Sequence, residues 1–265
     1  MAVPDVSARA LPELWSLAGR RAVVTGGARG IGRAIAERFA EAGAALVLGD
    51  LDLPAAEAAA AALAARHGRP AHALAVEVAD AASVAALADA ALDRLGGLDV
   101  WVNNAGIYPS APALEIDAAE WDRVIAVNVD GLFLCSRIAA RGMKQKGGGS
   151  IVNLASIMGF SGGLYPNPAY QTSKGAVVNL TRALALEFAA DNIRVNAIAP
   201  TFVRTRLTKP IFDNPETLKN VMSHTPLGRL PGTDDIAAAI LFLASPAANC
   251  ITGVILPVDS GYLAR

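Results

Sequence analysis

Tyr170 and Lys174 stand four residues apart in a stretch, 169–190, that reads as a helix. One helical turn puts both side chains on one face. An ammonium beside a phenol favours the phenolate, so such a pair could move a proton near neutral pH. Bringing a phenol from about 10 to neutrality takes about 4 kcal/mol at ~1.36 kcal/mol per pH unit, a scale that close positive charge can reach. Ser156 follows an apolar run at 151–154, at the carboxyl edge where ligands bind in open α/β sheets, and its hydroxyl could hydrogen-bond a substrate oxygen. Asn128 lies inside an apolar helical patch at 124–129. A buried amide there needs partners, and a structural carbonyl or an active-site water would each serve. Taken singly, each has a plainer reading: Tyr-x3-Lys is a common surface contact, and Ser156 an ordinary turn residue.

Upstream, Thr25-Gly26-Gly27-Ala28-Arg29-Gly30-Ile31-Gly32 follows the first apolar run. Glycines let the chain turn sharply and let backbone N–H groups approach a pyrophosphate at the start of the next helix. The spacing departs from G-x-G-x-x-G, because position 35 is Ile. Asp50 ends the second apolar run, twenty residues beyond Gly30, where a ribose-binding carboxylate is expected. A solvated turn residue is the alternative.

The elements that must position these groups alternate regularly. Short apolar runs at 22–24, 45–48, 73–78, 98–102, 150–154, 193–198 and 254–258 read as strands buried on both faces. Helical stretches separate them: 31–42, an Ala-rich stretch through Arg66, 83–95, one long helix over 117–146, then 169–190 and 233–244, the last capped by Thr233. This implies an α/β fold, a single doubly wound parallel sheet of about seven strands with helices on both faces. Residues 1–16 read as an N-terminal extension and 17–265 as one domain. The Pro-rich, polar stretch 205–231 breaks the alternation and is the candidate lid or substrate loop.

Composition narrows the classes further. At 265 residues, 53% hydrophobic and 18% charged, the chain fits one domain and is no disordered segment. Lys plus Arg (23) nearly cancel Asp plus Glu (24), so neither nucleic acid nor an acidic membrane is an expected partner. Cys135 and Cys250 cannot build a disulfide framework, which points to a reducing, cytoplasmic setting. His67, His72 and His224 lack metal-ligand spacing, so no metal site is expected. Residues 236–258 carry no charge, yet Pro246, Asn249, Gly253 and Pro257 interrupt them, so no membrane span is expected. Asp5, Arg9 and Glu13 break up any apolar leader.

Taken together, Thr25-Gly26-x3-Gly30-x-Gly32, Asn103-Asn104-Ala105-Gly106, Asn128, Ser156 and Tyr170-x3-Lys174 occur in the order seen in short-chain dehydrogenases/reductases. The chain closely resembles that family from about Leu17 to Tyr262. The resemblance implies a Rossmann-like, dinucleotide-binding catalytic domain. Tyr170 would be the general acid/base, and Lys174 would lower its pKa beside an oxidised nicotinamide and hold the nicotinamide ribose. Ser156 would orient the alcohol or carbonyl, and Asn128 would hold a water continuing the proton relay. The cofactor, NAD, would lie along Gly26, Arg29, Gly30, Ile31, Gly32, Asp50, Leu51, Glu77, Val78, Asn104, Ala105 and Gly106. Pro200, Val203 and Thr205 would border the nicotinamide. The substrate pocket is expected to hold Ser156, Met158, Tyr165, Asn167, Tyr170, Phe202 and parts of 205–231. The family also implies a homotetramer, using helices around 117–146 and 169–190 and the last strand.

Departures fall mostly on the substrate side. Thr201 replaces the glycine that usually follows Pro200, Glu77 stands where Asp is commoner, Ser260 replaces a glycine, and the interval from Ser156 to Tyr170 is about one residue longer. The leading expectation is an NAD-dependent oxidoreductase acting on a secondary alcohol or ketone, with polyols or sugar derivatives the first candidate class of small-molecule substrate. The alternatives are an NADPH-dependent 3-oxoacyl-carrier-protein reductase and a non-catalytic nucleotide-binding scaffold. Asp50 argues against the reductase, since a carboxylate repels a 2′-phosphate. Asp191, at the end of the Tyr170 helix, argues against an acidic carrier. Arg29 and Arg33 argue mildly for the 2′-phosphate.

Overall fold

The computed structural model describes residues 6–264. Residues 1–5 of the expected extension, and Arg265, lie outside the described residues. The rest of the extension is not a loose arm throughout: α1 (Leu11–Trp15) sets Trp15 against the Phe242 ring, centroids 5.6 Å apart.

Seven parallel strands form one sheet: β1 (Arg21–Thr25), β2 (Ala45–Asp50), β3 (Ala71–Ala75), β4 (Val100–Asn103), β5 (Gly149–Leu154), β6 (Ile193–Pro200) and β7 (Ile255–Val258). Their order is β3-β2-β1-β4-β5-β6-β7, so the winding reverses between β1 and β4 and opens a crevice at their carboxyl ends. Strand periodicity divides the core. Val24, Val102, Val152 and Ile198 face α2 (Gly30–Glu41), α3 (Leu53–His67) and α10 (Thr233–Ala244). Val23, Trp101, Ile151 and Val195 face α4 (Ala81–Leu95), α6 (Gly131–Gln145) and α7 (Pro168–Phe188).

Four expectations need correction. The third strand ends at Ala75, not Val78, because 77–80 form the entry turn to α4: Ser83 Oγ accepts from Glu77 N (2.9 Å) and Asp80 Oδ1 from Ala82 N (2.9 Å). The region 117–146 is not one helix. It consists of α5 (Ala118–Ile125), a π-helical turn at Ala126–Asp130 and then α6. Thr233 is the first helical residue of α10; the cap is Gly232, whose N–H donates to Asp235 Oδ2 (2.8 Å). The stretch 205–231 carries two helices, α8 (Lys209–Asp213) and α9 (Pro215–Ser223), and Asn214 Oδ1 caps the second through Glu216 N and Thr217 N.

Among the described residues no helix is long and apolar enough to cross a membrane, and no cluster of His, Cys, Asp and Glu could hold a metal ion. Cys135 is buried and Cys250 exposed, both as free thiols.

Candidate active site

The glycine-rich turn sits at the mouth of the crevice. Gly26 has φ +64°, and a Cβ at Gly32 would lie 2.0 Å from the Gly26 carbonyl oxygen, so neither position accepts a side chain. The turn is held from three sides. Thr25 Oγ1 accepts from Asn104 N (3.1 Å) and Ala105 N (3.2 Å). Asn104 Nδ2 donates to the carbonyls of Thr25 and Gly26 (2.9 Å each). Asp50 Oδ2 accepts from Ala28 N (3.0 Å), and its other oxygen from Asp52 N (3.0 Å). No side chain caps α2 at Arg29, so the first N–H groups and the positive helix end remain open to an anion such as a pyrophosphate. Those open donors and the side-chain-free cradle fit a dinucleotide.

Around the turn, Ile31 packs on the core, Leu51 is exposed and Val78 is buried. Glu77 Oε1 accepts from Ala79 N (3.1 Å), so its carboxylate closes its own turn. Thr205 stands over Gly30, whose Cβ would lie 3.6 Å from the Thr205 methyl. Pro200 ends β6 opposite Val258, and Val203 is buried behind it. Neither arginine is free: Arg29 pairs with Asp52 (2.6 Å), and Arg33 with Glu37 (3.4 Å) and the Ala59 carbonyl.

Across the crevice, α7 starts at Pro168 behind its cap Asn167 and brings Tyr170 and Lys174 to one face. Ser156, just past β5, accepts from Met158 N (3.2 Å) and lines one cleft with Tyr170. The Tyr108 ring meets Tyr170 edge-on, centroids 4.6 Å apart. Lys174 is buried; its Nζ donates to the Leu154 carbonyl (2.7 Å) and lies 5.6 Å from the Tyr170 ring centroid. The π-helical turn directs Asn128 inward beside Gly106, whose Cβ would lie 3.2 Å from Asn128 Oδ1. Oδ1 accepts from Ile107 N (2.9 Å), while Nδ2 donates to Ile107 O (3.0 Å) and Ser173 Oγ (3.1 Å), so the side chain anchors the strand exit at Ile107.

In the free protein burial pushes the Tyr170 phenol up to about 12, against a smaller lowering by the Ser156 hydroxyl. Burial pushes the Lys174 ammonium down to about 8, so it still carries its proton at pH 7. Bringing the phenol to neutrality takes positive charge beyond what Lys174, 5.6 Å from the ring centroid, brings to the free protein.

Behind the pair, a buried network fixes α7 against the sheet. Trp101 Nε1 donates to Asn103 Oδ1, Asn103 Nδ2 to Ser136 Oγ and Asn153 Oδ1 (each 2.8 Å), and Asn153 Nδ2 to Thr181 Oγ1 (3.0 Å).

A narrow cleft of about 50 Å³ opens at Tyr170, lined by Tyr108, Ser156, Met158, Thr201, Phe202 and, from the 205–231 stretch, Leu207, Thr208 and Ile211. Two expected pocket residues are not there. Tyr165 turns its hydroxyl to Thr217 O (3.2 Å) and Asn220 Nδ2 (3.3 Å) of α9. Asn167 is buried as the cap of α7, accepting from Tyr170 N (3.3 Å) and donating to Pro109 O (2.7 Å). Leu207, Thr208 and Ile211 come from the 205–231 stretch expected to line the pocket, whereas Tyr108, two residues after Gly106, was not foreseen.

Residues 26–263 match the sequence family described as Enoyl-(Acyl carrier protein) reductase. The chain is 44% identical over 257 residues to "Galactitol 2-dehydrogenase (L-tagatose-forming)" of Cereibacter sphaeroides, covering 94% of this chain and 97% of that protein. It is 45% identical over 253 residues to "Cis-4-hydroxycyclohexanecarboxylate dehydrogenase" of Sinomonas cyclohexanicum, covering 94% and 98%. Among solved structures, a gluconate 5-dehydrogenase from Burkholderia cenocepacia J2315 in complex with NADP and tartrate superposes with a TM-score of 0.93 at 34% identity, covering 97% of this chain and all of that one.

Proposed function

The chain belongs to the short-chain dehydrogenase/reductase family of oxidoreductases, and from that premise we propose that it moves hydride between NAD(H) and a secondary alcohol or ketone of the polyol or sugar class. The observation that carries this reading is the meeting of Tyr170 and Ser156 in one cleft, with the Lys174 ammonium 5.6 Å from the Tyr170 ring centroid. A bound nicotinamide ring supplies the hydride acceptor or donor and, when oxidised, the second positive charge. The chain's own groups do the rest. Ser156, whose oxygen already accepts from Met158 N, donates its proton to the substrate oxygen and orients it. Tyr170 takes the alcohol proton in oxidation and returns it to the carbonyl oxygen in reduction. Lys174 holds positive charge against the phenolate and faces the ribose side beside Gly106.

NAD is the proposed form because Asp50 stands at the end of β2, where its carboxylate can accept from the adenine-ribose hydroxyls and repel a 2′-phosphate. Arg29 and Arg33, the two cations that could offset it, are paired with Asp52 and Glu37. The galactitol-oxidising relative and the hydroxyl-bearing, half-apolar cleft support a polyol. The 205–231 stretch supplies Leu207, Thr208 and Ile211 to the cleft, and its opening would admit the substrate. A homotetramer of this reading would cover the outer faces of α6 and α7, where Phe133 and Leu186 are exposed, and the free thiols suit the cytoplasm.

Initial rates with NAD and with NADP across acyclic polyols, cyclic alcohols and a 3-hydroxyacyl thioester test the reading. The highest kcat/KM is expected for a polyol with NAD. A preference for NADP, or a thioester as best substrate, would overturn it.

A further inference from the structure

Among the described residues, Thr201 Oγ1 is the buried side-chain polar atom that makes no hydrogen bond. Buried hydroxyls without partners are rare because water has been given up and nothing returned. Thr201 is only 8% exposed and lines the Tyr170–Ser156 cleft. Its position is firm. It follows β6 directly, its N–H donates to Val258 O (3.3 Å), and a β-branched side chain has little freedom at χ1.

Other hydroxyls of the cleft have other tasks. Thr208 Oγ1 is bonded to Val203 O and Thr205 N, Ser156 Oγ accepts from Met158 N, and Ser156 and Tyr170 stand where the reacting oxygen must bind. The remaining walls, Phe202, Leu207 and Ile211, are apolar and offer Thr201 nothing. The resembled family has a glycine at this place, so the hydroxyl is a feature of this chain and not a requirement of the turn. A substrate whose carbinol oxygen meets Ser156 and Tyr170 shares that cleft with Thr201.

We propose that the Thr201 hydroxyl is a specificity-determining group: it hydrogen-bonds a second substrate hydroxyl on the carbon next to the one oxidised, and so selects vicinal diols over simple secondary alcohols. This rests on the secondary-alcohol reading above and names what that site prefers.

The test compares butane-2,3-diol with butan-2-ol in wild type, Thr201→Val and Thr201→Ser, each with NAD. Val keeps the shape and removes the hydroxyl, whereas Ser keeps the hydroxyl. The diol-to-mono-alcohol ratio of kcat/KM should fall about tenfold in the Val variant and stay within about threefold of wild type in the Ser variant, the size of one neutral hydrogen bond. An unchanged ratio in Thr201→Val overturns the proposal. A parallel loss on both alcohols with a raised KM for NAD also overturns it, by assigning the hydroxyl to the cofactor. A wild type that prefers butan-2-ol contradicts the polyol reading, while a lower ratio in the Val variant still supports Thr201. Should wild type oxidise neither alcohol, thermal shifts of the NADH-bound protein decide: stabilisation by the diol present in wild type and Thr201→Ser but lost in Thr201→Val supports the assignment, and equal shifts in all three overturn it.

Discussion

The two banks of the crevice are built in different ways. On the β1–β4 bank, side chains hold main chain: Thr25, Asn104 and Asp50 fix the glycine turn through bonds to backbone N–H and carbonyl groups. That construction draws on the carboxyl ends of β1, β2 and β4, brought side by side by the sheet, and it leaves the backbone donors of α2 facing outward. On the β5–β6 bank, side chains meet side chains from distant segments. Tyr108, Ser156, Met158, Tyr170, Phe202 and Ile211 form one wall only because five stretches of chain fold against each other. Lys174 bridges the banks, bonded to Leu154 O on one side and close to Gly106 on the other. The first bank suits a cofactor common to many reactions, and the second a substrate particular to one.

Breaking the bridge should have the broadest effect. Lys174→Met keeps the stem but removes the cation behind Tyr170, so kcat should fall by about 10³-fold, within the range for lost acid/base assistance. NADH affinity, read by fluorescence titration, should weaken in the same variant. A drop in kcat with unaltered NADH affinity would confine Lys174 to the substrate bank.

A change confined to the cofactor bank should act only there. Asp50→Ala should lower the NAD-to-NADP ratio of kcat/KM about 10- to 100-fold, and loss of the bonds to Ala28 N and Asp52 N should cost about 1–3 kcal/mol of stability in chemical denaturation. Asp50→Asn separates the two effects, because the amide oxygen can still accept from Ala28 N while the charge is gone. An unchanged cofactor ratio in both variants would remove Asp50 from cofactor choice.

The smallest effect sharpens the contrast in rigidity. Backbone amides of α8 and α9 should exchange with deuterium at least about tenfold faster than those of β1 and β4 in the free protein, since the 205–231 stretch is held by a small apolar cluster of its own. Equal protection of the two regions would mean that 205–231 is not a moving lid.

The same contrast explains what could be read from the residues alone. The glycine turn, Asp50, and the Tyr170/Lys174 spacing are local patterns with fixed periodicity, and they were legible. Asn128 was legible as a buried amide, but the π-helical turn that aims it at Ile107 adds a residue to a helix without a sequence signature. Tyr165 and Asn167 were assigned to the pocket by their polarity, yet that polarity is spent on α9 and on the cap of α7. Leu207 and Ile211 carry no polar signal at all, and only the packing of 205–231 brings them to the cleft. The rise that burial imposes on the Tyr170 phenol of the free protein was not legible either, because burial is a property of the assembled wall.

The central claim is that Tyr170 moves the substrate proton once enough positive charge surrounds it. The direct test is the pH profile of alcohol oxidation, kcat/KM with NAD, in wild type and in Tyr170→Phe. Oxidation needs the phenolate, so wild-type rates should rise with pH and level off above an ionisation well below the value of about 12 that burial imposes on the free protein. Ketone reduction, which needs the phenol, should decline over the same range. Tyr170→Phe should fold, bind NADH, lose about 10²–10⁴-fold in rate and lose that ionisation from its profile. A folded, NADH-binding Tyr170→Phe variant that keeps near-wild-type turnover with the same rise in pH would contradict the account and place the proton on another group.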